Sequence, residues 1–497
     1  MSGRMPRGGT SAVNPTERQS TVEITQSFID GESVPSADTY DNIDPATGRS
    51  LGPVARSGTE EVDRAVQAAA AAQPAWNATL PEHRSAVLSR VADLVDANAE
   101  ALARLESEDT GKPLGQARTD ATVCARYFRF YAHAIDTYYG ETIPLAADQL
   151  VYTRREPFGV VGSIIAWNYP MQLLARAVAA AVATGNATII KPADETPRTA
   201  VAIARLAIEA GMPPGIFNVV TGIGAEAGAA LTAHPGVAHL GFVGSTQIGS
   251  TIAHAAADRV VPTVLELGGK SAQIVFPDAD LDTAATFLTK AILQNAGQTC
   301  SAGSRLLVHH SIHQELLSKV ADHFGKVSIG PGREDPDLGP LVSAKQQGRV
   351  RGMVETALEG PGEVIVGGTV PDEERLAGGA YFSPTLIDGV DPASQIAQEE
   401  VFGPVLVSMQ FDTEEEAVAL ANGTDYALLG AIWTKDLSRA HRMAAAVQAG
   451  QVYVNTYGAG GGVELPFGGF KKSGYGREKG REALDAYTQT KTVIVKL

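Results

Sequence analysis

Apolar residues along this chain follow two different periodicities, and the change between them organises the fold. From 62 to about 134, Ala and Leu recur at spacings of three and four, the mark of amphipathic helix. TGKPL (110–114) interrupts that run, because Gly and Pro end helices. Ahead of it, FIDGE (28–32) reads as a short hairpin and NIDPATG (42–48) as a turn. Beyond it, 150–155 alternates like an edge strand before Pro157.

From 160 the pattern becomes short continuous apolar runs separated by helical stretches. Strands are predicted at 160–166, 187–191, 217–221 and 239–243, with helices at 171–184, 198–210 and 225–233. Strands that are apolar on both faces imply a parallel sheet covered by helices on each side. The series resumes after Gln273, with strands near 305–309 and 405–411, so two α/β lobes are expected. The final segment TVIVKL (492–497) reads as a strand with no local partner, which calls for pairing with another segment or subunit.

Bulk properties narrow the class. A chain of 497 residues exceeds one ordinary core, so two or three domains are expected. A formal charge of -16 with no basic stripe argues against a nucleic-acid surface. The two cysteines, Cys124 and Cys300, make no disulfide framework and point to a reducing compartment, the cytoplasm. Residues 1–24 carry Arg4, Arg7 and Arg18 but no apolar run, and read as a disordered tail. The most apolar stretch, 173–190, is interrupted by Arg176, Gly185 and Asn186. It reads as a buried helix running into a strand, so no membrane span is expected.

Two glycine signals mislead. Gly222, Gly224 and Gly228 follow a strand in the spacing G-x-G-x-x-x-G, and no acidic residue ends the next strand at Val243. By spacing alone an ordinary strand-to-helix turn is the better reading. Gly269-Lys270-Ser271 resembles the end of a phosphate loop whose first Gly would fall at Val264, and the match fails. His309-His310 reads as a strand end, and no metal site is expected.

Three segments carry chemistry. In GQTCSAG (297–303), Cys300 sits in a polar loop of small residues, which leaves room for substrate and favours a nucleophile over a structural thiol. Cys124, inside a helix with aromatic neighbours, reads as structural. Glu266 lies between leucines, where burial raises a carboxyl pKa as a general base requires; a Glu paired with Lys270 is an equal reading. Asn168 follows a strand, and its amide suits an oxyanion; on local grounds a helix cap ranks ahead.

WNYP (167–170), KPADETP (191–197), GFVGSTQIG (241–249), LELGGKS (265–271), GQTCSAGSR (297–305), QEEVFGPV (398–405) and LPFGGFKKSGYGRE (465–478) together resemble the ordered signatures of the aldehyde dehydrogenase superfamily. The resemblance runs from about Phe28 to Leu497. It implies an α/β fold with a Rossmann-like NAD-binding domain (25–139 and 161–268), an α/β catalytic domain (269–470) and a small β oligomerisation arm (140–160 and 483–497). It implies that Cys300 is the nucleophile, Glu266 the base and Asn168 the oxyanion donor. It places NAD along Ile165, Ala166, Trp167, Lys191, Ala193, Asp194, Gly224, Gly228, Phe242, Gly244, Ser245, Ile248, Leu267, Gly268, Glu400 and Phe402. Lys191 and Asp194 would meet the adenosine ribose, and the Asp carboxylate would favour NAD over NADP. Ser245 and the helix start after Gly244 would hold the pyrophosphate. Glu400 and Phe402 would position the nicotinamide end.

The substrate, by the same resemblance, is a small-molecule aldehyde in a tunnel lined by Tyr169, Leu173, Thr299, Ser301, Tyr457 and Phe467, in a homodimer or homotetramer. Many relatives carry an aromatic residue and a Lys where this chain has Arg176 and Ala177. Glu464 would suit a cationic aminoaldehyde, and a solvated loop carboxylate ranks ahead of that reading. A cysteine hydrolase is the rival class, but no His is nominated beside Cys300.

Overall fold

The computed structural model describes residues 24–458 and 462–497, so the tail expected at 1–24 lies outside the described residues except for Ile24. The apolar runs become two sheets. In the first, five parallel strands lie in the order Phe217–Val219, Ala187–Lys191, Val160–Ile164, His239–Val243, Thr263–Glu266. Antiparallel strands Ser27–Ile29 and Glu32–Val34 extend one edge, and Gly474–Tyr475 closes the other.

In chain order these strands add outward from Val160–Ile164 and then jump to its other side at His239–Val243. Such a reversal sends successive loops in opposite directions and leaves a crevice at the strand carboxyl ends. The two loops bordering that crevice carry Trp167-Asn168 and Gly244-Ser245.

The second sheet has seven strands, in the order Glu363–Val366, Thr385–Asp388, Val405–Phe411, Arg305–His309, Ala272–Val275, Leu429–Trp433, Gln451–Val454. Every neighbouring pair is parallel except the first. Each sheet has its own hydrophobic core. One runs from Phe28 to Leu267 and is completed by Val463, Ala483, Leu484 and Tyr487. The other runs from Ala272 to Val447. The chain crosses between them through Gly268-Gly269-Lys270-Ser271, at the end of the motif that contains Glu266.

The helical stretch before the first sheet is four helices, Thr59–Asn77, Pro81–Ala97, Ala99–Thr110 and Leu114–Ala134. Cys124 is buried in the last of them, as expected of a structural thiol. The helix expected at 225–233 begins as a π-helical turn, Gly224–Gly228, before Ala229–Ala233. The terminal strand is longer than predicted: Thr488–Lys496 pairs antiparallel with Gln149–Pro157 over its whole length. Its polar first half hides it from an apolar pattern, yet the backbone groups along one edge pair with the partner strand. No helix among the described residues is long and apolar enough to cross a membrane.

Candidate active site

A cavity of about 400 Å³ opens where the two lobes meet, and Cys300, Glu266 and Asn168 all line it. Three segments from different parts of the chain converge there, each fixed by its own backbone contacts.

Glu266 ends the strand Thr263–Glu266, held between Val243 on one side and Gly474 on the other. Its carbonyl accepts from the Gly244 N–H at 3.0 Å. The side chain is 2 % exposed, and neither carboxylate oxygen has a hydrogen-bond partner among the described residues. Burial, reinforced by the Glu478 carboxylate, raises its pKa well above the ordinary range despite Arg176, Arg477 and Lys479. The pairing with Lys270 is absent. The buried Lys270 ammonium likewise has no hydrogen-bond partner among the described residues, and burial lowers its pKa to about 7.

Cys300 lies in a turn that follows three consecutive left-handed residues: Asn295 (φ 50°), Ala296 (φ 54°) and Gly297 (φ 71°). For the first two this is an uncommon backbone state, which persists only where the surroundings enforce it. At Gly297 a Cβ would fall 2.1 Å from the Gly403 carbonyl oxygen. At Gly269 a Cβ would fall 2.3 Å from the Cys300 carbonyl oxygen, so the crossing loop packs directly on the cysteine backbone. Burial, with the Glu400 carboxylate, pushes the Cys300 thiol up to about 12, partly opposed by Arg176. At neutral pH the resting group is therefore a thiol, which needs a base to become the reactive thiolate.

Asn168 does not cap the following helix. The cap position of Pro170–Ala183 is Tyr169, with no side-chain hydrogen bond. The Asn168 Nδ2 donates instead to the Gln298 carbonyl at 3.0 Å, and its second N–H is left for another acceptor. Its own carbonyl accepts from Lys112 Nζ and from Asn295 Nδ2, both at 2.9 Å. Lys112 is fully buried and also donates to Glu106 and Asp120. Gln116 Oε1 takes the Asn295 N–H at 2.9 Å, tying the same helical region to the cysteine loop. TGKPL shows in the sequence only as a helix break, and no local pattern marks Lys112 as part of the site.

The expected cofactor residues form a track along the strand ends. Ala166, Trp167, Gly244, Ser245, Leu267, Gly268, Glu400 and Phe402 line the cavity. Trp167 and Phe402 meet edge to face at 5.2 Å between ring centroids, and Phe402 adopts φ 58°. Glu400 Oε1 accepts from the Gly269 N–H at 2.9 Å, and burial raises its pKa to about 7. Ser245 caps the helix Thr246–Arg259, leaving that helix N-terminus at the cavity. Farther along, Lys191 pairs with Asp194, whose other oxygen accepts from the Gly224 N–H at 3.3 Å. Ala193 is half-buried beside them, while Gly228 packs against Ile164 behind. Ile165 and the Phe242 ring are buried beneath the track, and Ile248 is 50 % exposed on the first turn of the capped helix.

Of the expected tunnel residues, Tyr169, Leu173, Thr299, Ser301 and Phe467 line the cavity. Tyr457 does not. Its buried hydroxyl donates to the Ser301 carbonyl, so the ring supports the wall from behind. Glu464 is outside the lining and forms an ion pair with Arg126, a surface carboxylate as the blander reading had it. Arg176 and Lys479, which were not among the expected tunnel residues, also line the cavity.

A dinucleotide needs a hydroxyl-binding pair for a ribose, free helix amides for a pyrophosphate and a flat-walled end beside the reacting atoms. Lys191 with Asp194, the Ser245 helix start and the Trp167–Phe402 wall supply these in order, so the residues present fit NAD. A doubly wound sheet with this track, beside a half-buried thiol and a buried carboxyl and amide, is the arrangement of a nicotinamide-dependent oxidoreductase. The comparisons agree. The aldehyde dehydrogenase family profile matches residues 33–493, and the chain belongs to the aldehyde dehydrogenase family. A Burkholderia cenocepacia chain assigned to the aldehyde dehydrogenases is 48% identical, with a TM-score of 0.93 over 95% of this chain and 100% of that one. Indole-3-acetaldehyde dehydrogenase AldA of P. syringae, in complex with NAD+ and IAA, is 41% identical at TM-score 0.93, over 95% of this chain and 96% of its own. Aldehyde dehydrogenase KauB of Pseudomonas aeruginosa is 41% identical at the same TM-score, over 95% and 97%.

Proposed function

We propose that this chain oxidises an aldehyde to a carboxylic acid with NAD as acceptor, using Cys300 as nucleophile, Glu266 as base and Asn168 as oxyanion donor. The observation that carries the reading is the convergence of these three side chains on one cavity beside the dinucleotide track. Lys191, Asp194, Gly224, Ser245, Glu400 and Phe402 would hold the cofactor. NAD, when bound, supplies the acceptor for the hydride that the tetrahedral carbon gives up.

Glu266, whose carboxylate oxygens have no hydrogen-bond partner among the described residues, takes the Cys300 proton directly or through a water. The sulfur then adds to the aldehyde carbon and gives a thiohemiacetal. Its oxyanion lies between the free Asn168 N–H and the Cys300 backbone N–H, an arrangement in which one donor is typically worth about 3–4 kcal/mol of barrier. Loss of hydride leaves a thioester on Cys300. Once Glu266 has passed that first proton to solvent, it takes a proton from the water that attacks the thioester carbon; the C–S bond then breaks, the carboxylic acid leaves, and the sulfur takes the proton back from Glu266 as its resting thiol.

Burial raises the Glu266 pKa, so its base form becomes available on the alkaline side of the ordinary carboxylate range. The paired strands Gln149–Pro157 and Thr488–Lys496 expose Leu150, Ile494 and Val495, which suits association into a homodimer or homotetramer. The absence of a disulfide framework suits the cytoplasm. Cys300→Ala tests the reading: NADH formation should vanish while NAD binding persists, and retained turnover would reassign the nucleophile.

A further inference from the structure

The two donors assigned to the oxyanion belong to different lobes. Asn168 lies between Ile165 and Tyr169, both in the first core, and Cys300 lies between Ala296 and Ala302, both in the second. An oxyanion hole needs both donors about 2.7–3.1 Å from one oxygen. Each lobe holds its own donor, so the gap between the Asn168 amide and the Cys300 N–H depends on contacts that cross from one lobe to the other.

Asn295 makes that crossing. Its Nδ2 donates to the Asn168 carbonyl at 2.9 Å and to the Gln298 carbonyl at 3.2 Å. The Asn168 Nδ2 donates back to the same Gln298 carbonyl at 3.0 Å, which closes a ring through three buried residues and both lobes. Both acceptors of the Asn295 side chain are carbonyl oxygens, so only its NH2 group can face them, and the amide has one orientation. With one Asn168 N–H held by the ring, the planar amide points its other N–H in a set direction.

The ring has its own supports. Gln116, on the helix Leu114–Ala134, accepts the Asn295 N–H at 2.9 Å and so braces Asn295 at φ 50°, a left-handed state that asparagine tolerates better than most residues. Gln298 Nε2 donates to the Asn295 carbonyl at 3.0 Å, and its Oε1 accepts from the Val342 N–H at 2.8 Å. These supporting side chains are all neutral amides. They give direction without adding charge beside a thiol and a carboxyl whose pKa values respond to neighbouring charge.

We propose that Asn295 is the positioning residue of the oxyanion hole, and that its side-chain amide, with its backbone braced by Gln116, sets the gap between the Asn168 amide and the Cys300 N–H. The inference rests on the reading of those two groups as the oxyanion donors.

The test uses the full chain with NAD and follows the rate of the first turnover of NADH, with the fastest substrate from a panel of aliphatic and aromatic aldehydes. Asn295→Gly keeps the left-handed backbone and the N–H to Gln116 but removes the amide. It should slow this step about ten- to hundredfold, since a displacement near 1 Å at the reacting atoms costs about 10². NAD affinity should stay at the wild-type value. In an Asn168→Ala background the same change should add little, because its effect passes through Asn168. Gln116→Met should also slow the step, whereas Gln116→Glu, which keeps an acceptor for the Asn295 N–H, should stay near the wild-type rate. These two variants decide the matter if Asn295→Gly does not fold. A wild-type rate in Asn295→Gly, the same fold-loss on top of Asn168→Ala, or equal rates in the two Gln116 variants would overturn the inference and leave the proposed reaction intact. A wild-type rate in Asn168→Ala would remove the oxyanion assignment and the inference with it.

Discussion

Lys112 Nζ donates to the backbone carbonyl of Asn168 at 2.9 Å, from a position 56 residues earlier in the chain and with no exposure to solvent. The same ammonium meets Glu106 and Asp120 and lies 4.4 Å from the centre of the Tyr169 ring. It anchors the turn that presents the Asn168 amide, while Asn295 secures the same carbonyl from the cysteine side. Asn168→Ala should lower kcat by about 10²–10³. Lys112→Met should also lower it, and should cost about 3–5 kcal/mol of stability by leaving buried carboxylates without their cation. In a double-mutant cycle the two losses in kcat should be strongly non-additive, because Lys112 acts through Asn168. Additive losses would show that Lys112 matters only to stability.

Gly269→Ala places a Cβ 2.3 Å from the Cys300 carbonyl oxygen, a backbone atom that cannot swing aside. The expected outcome is a lower melting temperature and a kcat reduced by about 10²-fold, since a misplacement near 1 Å at the reacting atom costs that much. Wild-type kcat in this variant would mean that the crossing loop is not what sets the sulfur.

Alkylation of Cys300 without NAD should be slow at neutral pH. Burial and the Glu400 carboxylate push the thiol up to about 12, and only the thiolate reacts, so the rate should climb about tenfold per pH unit with no plateau through pH ~9. A plateau near neutrality would show a thiolate already formed in the free enzyme. Cys124, buried within its helix with its pKa raised by burial, should stay unmodified in the folded chain.

Asp194 is paired with Lys191 and about one-third exposed, and in the proposed cofactor site its carboxylate would meet a 2′-phosphate. NAD should be used with a kcat/KM at least about tenfold above that for NADP, and Asp194→Ser should narrow the gap. Equal constants for the two cofactors in the wild type would contradict this placement.

Where the fold was legible, one residue type was doing one job over several consecutive positions. ATIIK (187–191) and HLGFV (239–243) are nearly continuous apolar strands, and the structure has both at those bounds. The helices broke at two further places because their stops are quiet: Pro81 is harmless in a first turn, and Asn98 ends one helix while starting the next. Cys300 declared itself through small neighbours, whereas the Lys112 network joins Glu106, Asp120 and Asn168 from three distances along the chain, which no local pattern encodes. Glu266 and Lys270 are close in sequence but the strand ends between them, so their side chains enter separate buried environments. Arg176 looked like an interruption in an apolar run; only the helix face it shares with Tyr169, Gln172 and Leu173 makes it part of the tunnel.

The most direct test of the proposed chemistry is to trap the covalent stage. Glu266→Gln removes the group that activates water while leaving the sulfur in place, so mixing with NAD and an oxidisable aldehyde should give a burst of NADH followed by little turnover. Intact-mass measurement after acid quench should show one acyl group added, and peptide mapping should put it on Cys300. An adduct on another residue, or wild-type turnover with no adduct, would contradict the account.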